Sequence, residues 1–328
     1  LIIIYFLYYM HFTFAIFSIT INAVSIYVLI YKTPEEMKYS VKSMMYGRFG
    51  DIILSISGGL FMNGYYLFPM PAVGIQGYSI YLGDYGVRIA FTSMFIGSYV
   101  HFLGLTIQYY TIFRSICSKK HLAKENALYK CLFLFSFALS ILLICLFMIF
   151  FSCEEEHQTN LLKQYLQYKL ILQKIPKIIV MNSNINTYFL LIANIAIVAM
   201  GLMFSSLITY FFWKIRKELQ ALKKSKHQTS YRKYRTAVIM LVIQIIFPVC
   251  FFAVPIAILG FSFLANIDFH TNLQMVIAQL ISVFVVFYTS ITGQFFIWKY
   301  YICKLSCFQN KGKKIVTNIH FSKKCVVK

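Results

Sequence analysis

The lysines and arginines of this chain gather in short clusters, and long uncharged apolar stretches separate them. That alternation constrains the fold more than any other feature of the sequence. A helix that crosses a bilayer needs about 20 mostly apolar residues, because hydrocarbon offers no partner to an unpaired backbone group. Seven stretches meet the need: 8–31, 43–66, 87–113, 131–152, 188–213, 236–263 and 273–298. With 59% hydrophobic and 12% charged residues, the chain has about half of the roughly 25% charge of a soluble domain. The sequence therefore predicts an all-α membrane protein. A single seven-helix transmembrane domain covers residues 1–301, and a basic tail covers 302–328.

Positive residues stay on the side from which a chain is not translocated. The connection 32–42 holds Lys32, Lys38 and Lys42, and the next on that side holds Arg114 and a run of lysines up to Lys130. The connection 214–235 is the most basic, with Arg216, Lys217, Arg232 and Arg235 among its cations. Connections 67–86 and 264–272 hold no Lys or Arg before Arg88, and Glu154, Glu155 and Glu156 offset the lysines of the remaining one. This bias predicts a cytoplasmic C-terminus and, for an odd number of spans, an N-terminus outside the cell. The first 31 residues lack Lys and Arg, so the basic start of a cleavable signal peptide is not expected.

The net charge of +21 raises nucleic-acid binding. That function needs one soluble basic face interleaved with base-stacking aromatics, and the topological spacing of the cations excludes it. A membrane hydrolase needs several metal-ligating groups at helical spacing. Only His11 and His101 fall within spans, on different helices, so no metal, cofactor or enzymatic activity is expected. Such lone histidines are expected to be hydrogen-bonded packing residues. A retinal Schiff base needs a lysine inside the seventh span, and 273–298 has none. A transporter or channel is the standing alternative to a receptor, although no internal repeat is evident.

Within the spans, Arg48 and Asp51 stand at i,i+3 spacing on one helix face, which predicts an intramembrane ion pair. Arg48 is close enough to the cytoplasmic end for its head group to snorkel out. Pro248 and Pro255 each remove a backbone donor from the sixth helix and predict a kinked hinge. The polar residues nearest an outward-opening ligand pocket are Arg88, His101, Asn194 and Gln279. Arg114, Arg216, Lys217, Arg232 and Arg235 form the expected coupling surface. Cys303 and Cys307, just past the seventh span, are candidates for palmitoylation. No cysteine stands near the outer end of the third helix, so no disulfide there can pin the loop 154–186; something else must hold it, or it is mobile.

Thr33-Pro34-Glu35-Glu36-Met37-Lys38, with Lys42, Asp51 and Ser55 after it, resembles the first loop and second helix of nematode serpentine chemoreceptors. The likeness continues through Met10-His11, Phe68-Pro69, Gly74 and Gly77, then Gln244 with Pro248 and Pro255, and Trp298-Lys299-Tyr300-Tyr301. Classes H and I of the Str superfamily are the nearest. The resemblance implies a G-protein-coupled receptor of sensory neurons, in the plasma membrane and sensory cilia. Its partners would be a small environmental ligand and a heterotrimeric G protein. Some family features are missing. Gln108-Tyr109-Tyr110 stands where many such receptors carry an acidic residue and Arg, and Tyr300 and Ile302 replace a common Pro and Arg. The Asn-Pro-x-x-Tyr of rhodopsin-like receptors is also absent.

Overall fold

A computed structural model describes residues 2–33, 38–66, 72–116, 130–131, 133–142, 144–145, 163, 177–180 and 187–224. Beyond these it describes 234–235, 238–239, 242, 244–246, 283, 287–291, 293–294 and 297. Long helices dominate: α1 (Ile2–Tyr31), α2 (Lys38–Leu54), α3 (Gly83–Ile116), a short α4 (Phe133–Leu142) and α5 (Thr187–Lys224). Residues 244–246 and 287–291, in the sixth and seventh expected spans, are helical as well.

The segments Tyr8–Tyr31 and Tyr78–Ile116 are each long and apolar enough to cross a membrane. The 34 residues of α3 extend about 50 Å, more than the ~30 Å hydrocarbon core requires. Phe6, Tyr9, Ile16, Phe17, Val24, Tyr27 and Ile30 of α1 point away from the protein. A soluble surface rarely tolerates an apolar stripe of that size. The opposite face of α1 carries Ser18, Asn22 and Ser25, all fully buried, so this helix is polar toward its neighbours and apolar toward lipid.

The α2–α3 contact is set by glycines. A methyl group at Gly50 would stand 2.5 Å from the His101 backbone nitrogen, and one at Gly104 would stand 2.5 Å from that of Gly47. Gly97 would meet Leu54 at 2.8 Å. Without side chains the two backbones close on each other, the usual solution where lipid removes any hydrophobic drive for helices to associate. The α3–α5 contact is built the opposite way. Leu105, Tyr109, Ile112 and Phe113 interleave with Leu207, Ile208, Phe211, Ile215 and Leu219, and Val238 of the sixth helix closes that cluster.

Two local features depart from a plain helix bundle. Past Leu54 the second helix widens into π-type turns over Ser55–Met62, and the Asn63 N–H reaches the Gly58 carbonyl five residues back at 2.9 Å. Asn63 then ends it in a left-handed conformation, φ 39°. Beyond lies a three-stranded antiparallel sheet of β1 (Gly64–Tyr66), β2 (Ala72–Ile75) and β3 (Lys177–Val180), in that order. Strand β3 lies in the long loop between the fourth and fifth expected spans. Its backbone pairs with β2, Ile75 facing Lys177 and Ala72 facing Val180. Ile75 and Ile178 are buried beneath the sheet, and Lys177 forms an ion pair with Asp84 in the first turn of α3. Strand addition and this ion pair thus hold residues 177–180 of that loop against β2 and α3.

Candidate functional site

Midway along the bundle, polar side chains from five helices converge. Asp51 is the hub. Its Oδ2 accepts from Arg48 Nη1 at 2.8 Å, and both side chains are fully buried. Its Oδ1 stands 2.7 Å from His101 Nδ1. Arg48 Nη1 also donates to Asn22 Oδ1 at 3.0 Å. Asn22 Nδ2 in turn donates to the carbonyls of Ser18, at 2.9 Å, and Thr289, at 3.0 Å. Three hydroxyls complete this side: Ser18 Oγ is 2.6 Å from Thr289 Oγ1 and 2.7 Å from Ser55 Oγ. One turn further along α1, Ser25 donates to the Gly293 carbonyl at 2.9 Å.

Arg48 therefore does not snorkel. Carrying a charge to mid-bilayer costs roughly 2.5–3.5 kcal/mol on insertion scales. The chain offsets that cost with the expected carboxylate one turn away and with an amide oxygen on α1 that was not expected.

The far side of the hub leads to the sixth helix. His101 Nε2 lies 2.9 Å from the Tyr288 hydroxyl, and that hydroxyl donates to the Gln244 carbonyl at 3.1 Å. Tyr288 has one proton and gives it to Gln244, so His101 is the donor between the two rings. The choice of Gln244 follows from the sequence. In an α-helix the carbonyl of residue 244 receives the N–H of residue 248, and residue 248 is proline, which has none. Pro248 leaves one buried carbonyl without its helical donor, and Tyr288 supplies the replacement.

The expected site residues fall into separate groups. Arg48, Asp51 and His101 meet in this node. Arg88 lies half-buried on α3, nearer the sheet. Asn194 is on α5, with its side chain outside the described part, and Gln279, Pro248, Pro255, Arg232, Cys303 and Cys307 lie outside the described residues. Arg114, Arg216, Lys217 and Arg235 are exposed at the end of the bundle away from the sheet. There Phe113, Ile215 and Val238 bring α3, α5 and the sixth helix together, and Tyr234 donates to the Ser115 carbonyl at 3.4 Å. Sequence reasoning missed Asn22, Ser18, Tyr288 and Thr289. The signal for the first two was present in the polar stripe Ser18-Asn22-Ser25 along an otherwise apolar helix.

A family model described as serpentine type 7TM GPCR chemoreceptor Srh matches residues 4–292. The chain belongs to the Srh family of chemoreceptors. That membership makes it a seven-helix membrane protein and a chemosensory G-protein-coupled receptor, and it removes the transporter alternative. A search of curated proteins gives no match. The Srh match spans every residue of the node, from Ser18 to Thr289, and the sheet.

Proposed function

We propose that this Srh receptor binds a small environmental molecule in the sheet-end half of its bundle. It passes that event through the Asp51 node to a heterotrimeric G protein at the basic end. The sheet end is extracellular and the basic end cytoplasmic, as the lysine and arginine bias requires. The receptor is a multi-pass plasma-membrane protein, with sensory cilia as its site of action, and it signals without catalysis of its own.

One observation carries the reading: Tyr288 joins the node to the Gln244 carbonyl, which Pro248 leaves without a donor. The sixth helix is thus tied to α1, α2, α3 and the seventh helix at the residue where its own backbone ladder is broken. A ligand that moves the seventh helix or α3 changes whether this latch holds. An equilibrium shifts only when the ligand has unequal affinity for the two states, and a broken ladder next to a single hydroxyl gives two discrete arrangements. When the latch opens, the sixth helix parts from α3 at Val238 and Tyr234. That exposes the basic end, where Arg114, Arg216, Lys217, Arg232 and Arg235 meet the G protein. Arg88, Asn194 and Gln279 line the ligand half, and His101 lies beneath them as the relay into the node. Palmitate on Cys303 and Cys307 would anchor the tail to the cytoplasmic leaflet.

Expression with a promiscuous Gα subunit and an odorant panel tests the receptor reading, with concentration-dependent signalling the expected result. Glycan acceptor sites inserted at 67–71 and at 225–233 test the orientation. Modification of the first alone is expected, and modification of the second alone would reverse the assignment.

A further inference from the structure

The polar groups buried in this bundle mostly have partners. Ser57, Ser98, Thr106, Thr111 and Ser140 each return their proton to the carbonyl four residues back, and the node residues bond one another. Among the described residues some do not: Gln108 and the Tyr109 hydroxyl toward the other end of α3, and His11. His11 is 3% exposed, and among the described residues neither ring nitrogen has a hydrogen-bond partner. It lies on the inward stripe of α1, one turn from the fully buried Ala15 and two turns from Ser18. Packing therefore holds it inside the bundle.

The helix registers give its depth. Tyr8, one turn toward the sheet, accepts from Asn63 Nδ2 at 3.1 Å through its carbonyl. Ser18 meets Ser55. His11 thus lies level with the last π-type turn of the second helix, a widening of the kind that recurs at functional sites. Phe12 and Phe14, its near neighbours on α1, meet Tyr78 at 6.3 Å and Phe287 at 5.1 Å between ring centroids. Two more buried hydroxyls at this end, Ser79 and Thr92, also lack partners among the described residues. Leaving a buried polar group unpaired costs about 1–3 kcal/mol, and at the sheet end the chain accepts this at His11, Ser79 and Thr92.

We infer that His11 is a ligand-binding residue: its imidazole takes the one polar group of a small, otherwise apolar molecule, an alcohol or a ketone. A neutral imidazole presents one donor and one acceptor, so it serves either class, and the aromatic pairs at this level of α1 offer apolar surface for the hydrocarbon part. The inference rests on the receptor reading above and names a contact within its ligand half.

Purified wild type and H11F, compared first without ligand, give a test independent of signalling. Phenylalanine has a similar shape and nothing to desolvate, so H11F should unfold at the same or a higher temperature. A clearly lower unfolding temperature would show that the ring nitrogens are bonded in the resting protein, and the proposal would fail. Hexanol, hexanone and hexane then serve as probes in thermal unfolding and in cells with the promiscuous Gα subunit. Hexanol or hexanone should stabilise wild type and hexane should not. H11F should lose about tenfold in apparent affinity, the worth of one hydrogen bond, and H11Q should retain most of it. A wild type indifferent to both polar probes overturns the ligand class. A hexanol or hexanone response that survives H11F unchanged overturns the site and leaves the receptor reading standing.

Discussion

The middle of the bundle and its sheet end are built from the same helices and the same residue types, yet they treat polar side chains in opposite ways. At the middle, Arg48, Asp51, Asn22, His101 and Tyr288 are joined to one another and to Gln244 across five helices. At the sheet end His11, Ser79 and Thr92 are as deeply buried and have none among the described residues. Desolvation is costly at both levels. On the proposal above, the sheet end is the level that takes a partner from outside the chain. A bundle held by its middle can leave its end unsatisfied, and a chemoreceptor needs such an end.

The node is where the largest effects should lie. Asp51→Ala leaves the Arg48 guanidinium buried without its carboxylate, a loss of about 3–5 kcal/mol, read as lost surface expression and a collapsed thermal transition. Replacing both partners, as Arg48→Met with Asp51→Leu, should recover most of that stability without recovering signalling. Full recovery of both would make the pair a packing device only.

The glycine seam comes next. Gly50→Ala forces a methyl group against the His101 backbone and should cost about 1–3 kcal/mol. Gly201→Ala on α5 meets nothing within 4 Å and should be neutral or stabilising by up to ~1 kcal/mol. Equal losses at the two positions would contradict the close α2–α3 approach.

Tyr288→Phe removes only a hydroxyl, yet it leaves the Gln244 carbonyl without a donor, at about 1–3 kcal/mol. Pro248→Ala restores an N–H at the position that carbonyl lacks. The double variant should therefore be more stable than Tyr288→Phe alone and less responsive to agonist than wild type. Thermal unfolding and dose–response curves measure both.

The smallest effect belongs to the sheet. The Lys177–Asp84 pair is partly exposed, and Lys177→Ala should cost no more than ~1 kcal/mol. Hydrogen exchange at 177–180 reads whether β3 stays paired without it.

The helices and their polar content were legible because each depends on local pattern. Twenty apolar residues in a row have one use, and Arg48 three residues before Asp51 on an apolar helix has few others. The pairing partners were not legible, because Asn22, Tyr288 and Thr289 come together only through tertiary register, across up to 271 positions in sequence. The three strands were invisible for a different reason: segments of three or four residues carry no periodicity to read. Pro248 shows the middle case. Its effect on its own helix followed from the missing N–H, and the identity of the group that compensates for it needed the structure. His11 shows the reverse. It was expected to be a bonded packing residue, and nothing in the sequence distinguished it from His101, which is one.

The central claim is that the node latches the sixth helix through Tyr288. Spin labels at the exposed positions Arg114 and Arg235, on α3 and the sixth helix, report that separation by pulsed electron resonance in lipid nanodiscs. The account predicts a distribution that widens toward longer distances in Tyr288→Phe and narrows again when Pro248→Ala is added. A Tyr288→Phe distribution indistinguishable from wild type would contradict it.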